Sequence, residues 1–321
     1  EVVEIEGLGN GNLEMFKGDP FKSLAREICQ NSLDAFKDEN KPVYVEFQLH
    51  DVKSSAFPGI TDLKDIIAKC EKFWSKDANV KTKKFIERAK ETLKSEKLKV
   101  LRISDYNTKG LPGAFDKENV MTPWVGLLKS TALSIKEDGD AAGSYGIGKN
   151  APFVNSALQT VFYRTFDEEG VRAVEGVARL MSFKDVDKDG NEVIKRSVGH
   201  FVDDNNDPLH SIPELDAICS RTELGTDLFI PAFNIEDKWV DIIKKQSGDD
   251  SIKWINPKEC LSYQKDEEPF EVYEEDFIKT MADYLMYKED IDVKALKEVI
   301  ANKVIYFSSI FLTYIFHYIF L

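Results

Sequence analysis

The chain has 321 residues, of which 42% are hydrophobic and 31% are charged, a balance typical of a globular protein with a sizeable core. Its net charge of −14 argues against broad nucleic-acid binding, because phosphate-driven binding needs a basic surface. The four cysteines are widely spaced and form no CxxC pair, which argues against zinc or redox chemistry and favours a reduced, cytoplasmic protein.

The N-terminal third predicts a helix, a strand, a helical insertion and a second strand. Residues 19–37 combine Pro20 at a helix start with apolar residues at helical spacing. Residues 43–49 and 98–104 are rich in β-branched and apolar residues, which indicates strands. Between them, amphipathic patterns predict two charged helices within an insertion at about 53–97.

The middle of the chain is irregular and then rich in strands. Residues 112–149 are glycine-rich and acidic, as expected of a mobile loop, and they contain six glycines. Short strands are predicted at 160–165, 171–180 and 227–230. We place a domain boundary near residue 235, so that 1–235 form the main domain and 236–321 a mainly helical and possibly truncated region.

The last 18 residues, Val304–Leu321, carry no Asp, Glu, Lys or Arg. Three interpretations remain open: a membrane tail, a buried helix or strand pair, or a non-native end left by truncation or a frame shift. Contact with a membrane through 304–321 is not favoured, because the segment is at the lower length limit for a span and contains a histidine.

Three polar residues of the first helix, Glu27, Asn31 and Asp34, fall within an arc of about 60° at helical periodicity. They border the apolar face, where their side chains could converge on a ligand at the rim of the core. The same pattern also fits a solvated helix face, so the trio by itself decides nothing.

A second candidate follows the strand at 98–104. Asp105 stands at the end of this strand, and Asn107 and Gly110 follow in a turn-like segment. A carboxylate there can accept from the amino group of a purine, and a glycine lets the base approach the backbone. An ordinary turn is an equally good interpretation.

A third candidate is the glycine-rich segment 143–149, which ends the predicted loop. A fourth candidate is the pair Gly225 and Thr226, at the start of a predicted strand. Closely spaced glycines expose amide groups that can surround phosphate oxygens, and a lysine adds positive charge. The first segment consists of Gly143, Ser144, Tyr145, Gly146, Ile147, Gly148 and Lys149. Its spacing also fits a Walker A loop, but Asn150 replaces the Ser or Thr that holds Mg²⁺, and an acidic loop precedes it instead of a strand.

In their order and spacing, these four elements resemble the nucleotide-binding motifs of the GHKL superfamily. This superfamily includes gyrase B subunits, ninety-kilodalton heat-shock chaperones, sensor histidine kinases and MutL proteins. The N-box ExxxNxxDA is met from Glu27 to Ala35, GxxGxG from Gly143 to Gly148, and the Gly-Thr box by Gly225 and Thr226. The first glycine box departs from DxGxG, because Asn107 takes the place of a glycine and Gly110 comes one residue late.

The resemblance implies an α+β fold, a two-layer Bergerat sandwich with a helical insertion, and an ATP site in residues 1–235. It implies that Glu27 activates the attacking water and that Asn31 holds Mg²⁺, with Asp34 beside them. Asp105 would accept from the adenine amino group, next to Thr226, Asn107 and Gly110. The amides of Gly143 to Gly148, with Lys149, would close over the triphosphate as a lid.

The resemblance implies Mg-dependent ATP hydrolysis that drives lid closure and ATP-dependent homodimerisation. Glu27 favours hydrolysis over histidine-kinase-like phosphotransfer, since a residue that activates water has no use in a kinase. A nucleotide-gated interaction module with negligible turnover is a further alternative. The long insertion fits none of the familiar subgroups, which suggests a stand-alone prokaryotic ATPase of stress response or phage defence.

Overall fold

The computed structural model describes most of the first 243 residues and two short backbone segments beyond them. The described residues are 4–8, 13, 16–38, 40–41, 43–119, 121–130, 148–235, 239–240 and 242–243, with the backbone of 252–255 and 260–263. The helices are α1 Pro20–Asp34, α2 Ile60–Trp74, α3 Val80–Lys94, α4 Pro123–Leu128, α5 Ala151–Val154 and α6 Pro213–Ile218. The strands are β1 Tyr44–Lys53, β2 Lys97–Tyr106, β3 Thr160–Phe166, β4 Arg172–Arg179, β5 Phe183–Val186, β6 Glu192–Lys195, β7 Val198–Phe201, β8 Gly225–Pro231, β9 Ile252–Ile255 and β10 Cys260–Tyr263.

The main structural feature is an eight-stranded antiparallel sheet. Its strand order is β7-β4-β3-β8-β2-β1-β10-β9, and β5 and β6 form a separate two-stranded sheet. The central strand β8 joins β2 to β3, so it brings residues far apart in sequence side by side. The fold is therefore α+β, as expected from the sequence.

One face of the sheet is covered by α1, α4 and α5. Helix α1 begins with Pro20 at its first turn, where a missing amide hydrogen costs nothing, and it buries Phe21, Leu24 and Ile28. These side chains join one core with alternate residues of the strands, among them Ile103 and Tyr163. Because Asp105 and Thr226 follow the same alternation, they also lie on this face.

The opposite face is covered by the helical insertion. Helices α2 and α3 share a second core with the other set of strand residues, including Val100, Phe162 and Phe229. Phe57, just before α2, packs edge-on against Phe162 with ring centroids 5.3 Å apart. The resemblance implies two layers with a helical insertion; in the described part of the chain the insertion covers this second face of the sheet.

The segment before the glycine-rich loop corrects another expectation. Residues 112–149 were expected to be irregular, yet helix α4 lies within them and is capped by Thr122, whose Oγ1 accepts from the Val125 amide at 3.3 Å. Trp124 is fully buried, and its Nε1 donates to Glu175 at 3.2 Å. The predicted lid thus starts with a helix anchored in the core, while residues 131–147 lie outside the described residues.

Beyond residue 235 the chain returns to the sheet. Strand β10 pairs with β1, with Leu261 opposite Phe47, and β9 forms the edge. Residues 264–321, which make up most of the region predicted to be mainly helical and include the apolar tail, lie outside the described residues. Among the residues that are described, no helix is both long enough and apolar enough to cross a membrane.

Candidate functional site

Asp105 lies at the end of β2, where three distant parts of the chain meet. Its Oδ2 accepts from Ser32 Oγ on helix α1 at 3.1 Å. Its Oδ1 accepts from the Thr226 amide of β8 at 2.6 Å and from Thr108 Oγ1 at 2.8 Å. The structure therefore brings together helix α1, the end of β2 and the start of β8, which carry three of the four sequence motifs, around one carboxylate.

The electrostatic environment of Asp105 combines burial with a nearby cation. Burial raises the pKa of Asp105, and the Arg221 guanidinium, together with the hydrogen-bond donors, opposes this rise. Arg221 also donates through Nη2 to the backbone oxygens of Asp105 and Thr226, at 2.8 and 2.9 Å. Sequence reasoning missed Arg221, because nothing in its local pattern indicates a contact with β2.

Asn107 and Gly110 build the turn that follows Asp105. Asn107 adopts a left-handed conformation with φ of 57°, and its Nδ2 donates to the carbonyl oxygens of Asp38 and Lys41 at 3.0 and 2.7 Å. It therefore fastens the loop after α1. Gly110 packs so closely on the β3–β4 hairpin that a Cβ would lie 2.8 Å from Thr165 Oγ1. Both residues shape the backbone around Asp105.

Glu27 and Asn31 lie one helical turn apart on α1, with Asn31 Nδ2 donating to Glu27 Oε1 at 3.1 Å. Gly148, the last glycine of the second glycine box, packs directly against the Glu27 carboxylate, where a Cβ would overlap it. The N-box glutamate and the end of the glycine-rich loop are therefore neighbours. Asp34 is exposed at the end of the same helix.

Lys149 has a different environment from the one expected. Its ammonium is buried and donates to the carbonyl oxygens of Gly126 and Ser130 at 2.8 and 2.7 Å, and to Ser130 Oγ at 2.9 Å. Burial lowers the pKa of Lys149 to about 8, and nearby Arg179 contributes to this shift. Lys149 thus ties the glycine-rich loop to the end of α4, while Gly143, Ser144, Tyr145, Gly146 and Ile147 lie outside the described residues.

The residues expected to hold Mg²⁺ fit that role in their chemistry. Asn31 uses its amide nitrogen on Glu27, so its amide oxygen is the atom that would bind a cation. Mg²⁺ accepts such a single protein oxygen because it keeps waters and phosphate oxygens as its other ligands. Within the described ranges, no group of three or more His, Cys, Asp or Glu side chains could hold a metal ion.

A cavity of about 730 Å³ lies away from this site, between the helical insertion and the start of β2. Its lining includes Lys53, Lys64, Lys90, Lys94 and Lys97. It contains none of the residues that the sequence pattern selected. Its position on the far side of the sheet separates it from Asp105 and Glu27.

Comparisons with known proteins return no match: no protein-family model fits the chain, and no curated protein is significantly similar to it. The functional interpretation therefore rests on the geometry of the described residues. That geometry has two centres on one face of the sheet. One surrounds Asp105, and the other joins Glu27, Asn31 and Gly148.

Proposed function

We propose that this chain binds Mg-ATP on the α1 face of the sheet and hydrolyses it. The observation that supports the proposal most strongly is the convergence of three motifs on Asp105, with donors from Ser32 and Thr226. These residues are far apart in sequence, and a chance set of motifs would have no reason to meet at one carboxylate. The close packing of Gly148 on Glu27 adds the fourth motif.

In this proposal Asp105 accepts a hydrogen bond from the adenine amino group, and the triphosphate extends along α1 towards Glu27. Glu27 takes a proton from water as the water oxygen attacks the terminal phosphorus. The bond between that phosphorus and the bridging oxygen breaks, and ADP leaves. Mg²⁺, when bound through Asn31, would offset charge on the phosphate oxygens. The ATP-bound form would pair with a second copy, as the resemblance to GHKL proteins implies.

The direct test measures ATP binding by calorimetry and phosphate release by the purified chain, with the Asp105→Ala variant beside the wild type. We expect the variant to bind ATP about 10- to 100-fold more weakly, because the buried amino group of adenine loses its hydrogen-bond acceptor. It should also lose its preference for ATP over GTP. Thermal unfolding would first establish that the variant is folded, since Asp105 also accepts from Ser32 and Thr108.

Equal ATP affinity in the wild type and Asp105→Ala would show that this carboxylate does not bind the base. Absence of nucleotide binding in the wild type would refute the proposal as a whole. Tight ATP binding without phosphate release would favour a nucleotide-gated interaction module.

A second variant tests the contact between the glycine-rich loop and the proposed base. In Gly148→Ala the new methyl group would occupy the space of the Glu27 carboxylate, the flexible end of its side chain. We expect little change in thermal stability but at least about a tenfold loss of turnover, since small displacements of a catalytic group cost that much or more. Gly199→Ala is the matched control, because a Cβ there meets no atom within 4 Å. Unchanged turnover in Gly148→Ala would place the reacting phosphate elsewhere.

A further inference from the structure

Arg179, the last residue of β4, is a buried cation that none of the four sequence motifs contains. Its side chain is only 6% exposed. It follows Val177 by two residues, so it lies on the α1 face of the sheet, where Val177 joins the core. Its guanidinium lies over the Phe153 ring of α5, 4.7 Å from the centroid. Helix α5 directly follows the Gly148–Asn150 turn, so Arg179 lies close to the residues that follow the glycine-rich segment.

No carboxylate of the described residues forms an ion pair with the Arg179 guanidinium, although a buried cation normally has such a partner. Its Nε has no hydrogen-bond partner. Burial lowers the pKa of Arg179, and among the neighbours that act on it no carboxylate raises it. A cation–π contact with Phe153 offsets only part of the desolvation cost, which amounts to several kcal/mol for an unpaired buried ion.

Lys149 is a second buried cation in this region. Its ammonium is also buried; this burial, and to a lesser extent the charge of Arg179, lowers the pKa of Lys149. The hydrogen bonds of Lys149 are to neutral oxygens of Gly126 and Ser130. Two neighbouring buried cations without a described carboxylate between them make this region favourable for a multiply charged anion.

Glu27 is near the same stretch of chain as Arg179. Burial raises the pKa of Tyr163, and the charges of Arg179 and Glu27 act on this pKa in opposite directions, as expected if both side chains are near the Tyr163 hydroxyl. Gly148, which contacts Glu27, is adjacent in sequence to Lys149. Arg179, which contacts Phe153, and the proposed general base, which contacts Gly148, therefore both pack against the segment 148–153.

We propose that Arg179 binds the terminal phosphate of the nucleotide and is the residue that distinguishes ATP from ADP. This inference rests on the proposed ATP site and adds a specificity-determining residue to it. Arginine suits the task because its planar fork of donors matches phosphate oxygens and its charge persists in a buried site. The anion would supply the negative charge that no described carboxylate places beside the guanidinium.

The test compares Arg179→Met with the wild type by calorimetry, using ADP and a non-hydrolysable ATP analogue. We expect the affinity for the analogue to fall by about 10- to 100-fold, the range of a lost charge-assisted hydrogen bond, while ADP affinity is unchanged. The unfolding temperature should not fall, because the substitution removes an unpaired buried charge. Arg196→Met, at an exposed position between β6 and β7, removes the same charge away from the site; it is the control and should bind both nucleotides as the wild type does.

The outcomes separate this inference from the proposed function. Wild-type affinity of Arg179→Met for the analogue would overturn the inference and leave the ATP site intact. Equal losses for ADP and the analogue, with a lower unfolding temperature, would reduce Arg179 to a structural role. If the wild type binds neither nucleotide, the proposed function fails. Inorganic tripolyphosphate then serves as the test anion for the proposed anion site at Arg179. Thermal stabilisation of the wild type, but not of Arg179→Met, would support the anion subsite, and no stabilisation would overturn it.

Discussion

Replacing Glu27 by glutamine should reduce ATP hydrolysis by about 10²- to 10⁴-fold, the usual contribution of a general base, while ATP still binds. Glutamine keeps the size of the side chain and can still accept from Asn31 Nδ2, so the helix face is preserved. It cannot take a proton from water at neutral pH. The loss should therefore fall on turnover and leave the affinity for Mg-ATP close to that of the wild type.

The measurement is phosphate release at saturating ATP, with calorimetry on the same preparations. Glu91→Gln removes the same charge from an exposed position on helix α3 and should leave both quantities unchanged. Parallel losses of affinity and turnover in Glu27→Gln would assign Glu27 to binding. Full turnover in the variant would mean that another group activates the water. The role of Glu27 as general base, which the N-box resemblance implies, would then be wrong.

The local elements could be predicted from the sequence because their signals are local. Alternating β-branched residues predicted strands that the structure places at Tyr44–Lys53 and Lys97–Tyr106, and Pro20 predicted the start of α1. The two insertion helices follow from their amphipathic pattern. Strands β9 and β10 were missed, because such short segments give little periodicity and their pairing with β1 is a long-range property.

The motifs of the candidate site could be predicted from the sequence, but the tertiary contacts that surround them could not. The sequence selected Glu27, Asp105 and Gly148, and the structure brings each next to a residue of another motif. The sequence could not show that Lys149 binds the end of α4, since a lysine that follows three closely spaced glycines suggests a phosphate contact. Arg179 ends an otherwise ordinary strand, and only tertiary packing shows that its charge is buried.

A network of buried charges lies behind the Asp105 centre, on the opposite face of the sheet. Asp227 is 1% exposed and follows Thr226 in β8. Its Oδ2 accepts from Nε of Arg164 at 2.7 Å and from Nε of Arg221 at 2.8 Å, and Ser104 donates to its Oδ1. Because Arg221 also holds the carbonyl oxygen of Asp105, this network links the stability of the sheet to the geometry of the site.

Asp227→Asn should destabilise the protein by about 3–5 kcal/mol, the usual cost of removing one partner from a buried ion pair. Among the described residues, Arg221 would then lose its hydrogen-bonded carboxylate, and Arg164 would keep only Asp216, whose Oδ1 accepts from Arg164 Nη1 at 2.7 Å. Asp65→Asn is the control, since Asp65 forms an exposed pair with Lys69 on helix α2, and its loss should cost no more than about 0.5 kcal/mol. Denaturant unfolding followed by circular dichroism measures both variants.

The pH dependence of this loss gives Asp227→Asn a signature of its own. Burial by itself would raise the pKa of Asp227, but the guanidinium groups of Arg221 and Arg164 lower it from 3.8 to about 2. A carboxylate whose folded pKa lies below its unfolded value stabilises the fold above the unfolded pKa, and this stabilisation is lost as the pH falls through the folded pKa. The difference between the wild type and Asp227→Asn should therefore be constant at neutral pH and shrink between about pH 4 and pH 2. A difference that stays the same through this range would mean that the variant is destabilised by packing, and the carboxylate would no longer explain how Arg221 is held beside Asp105.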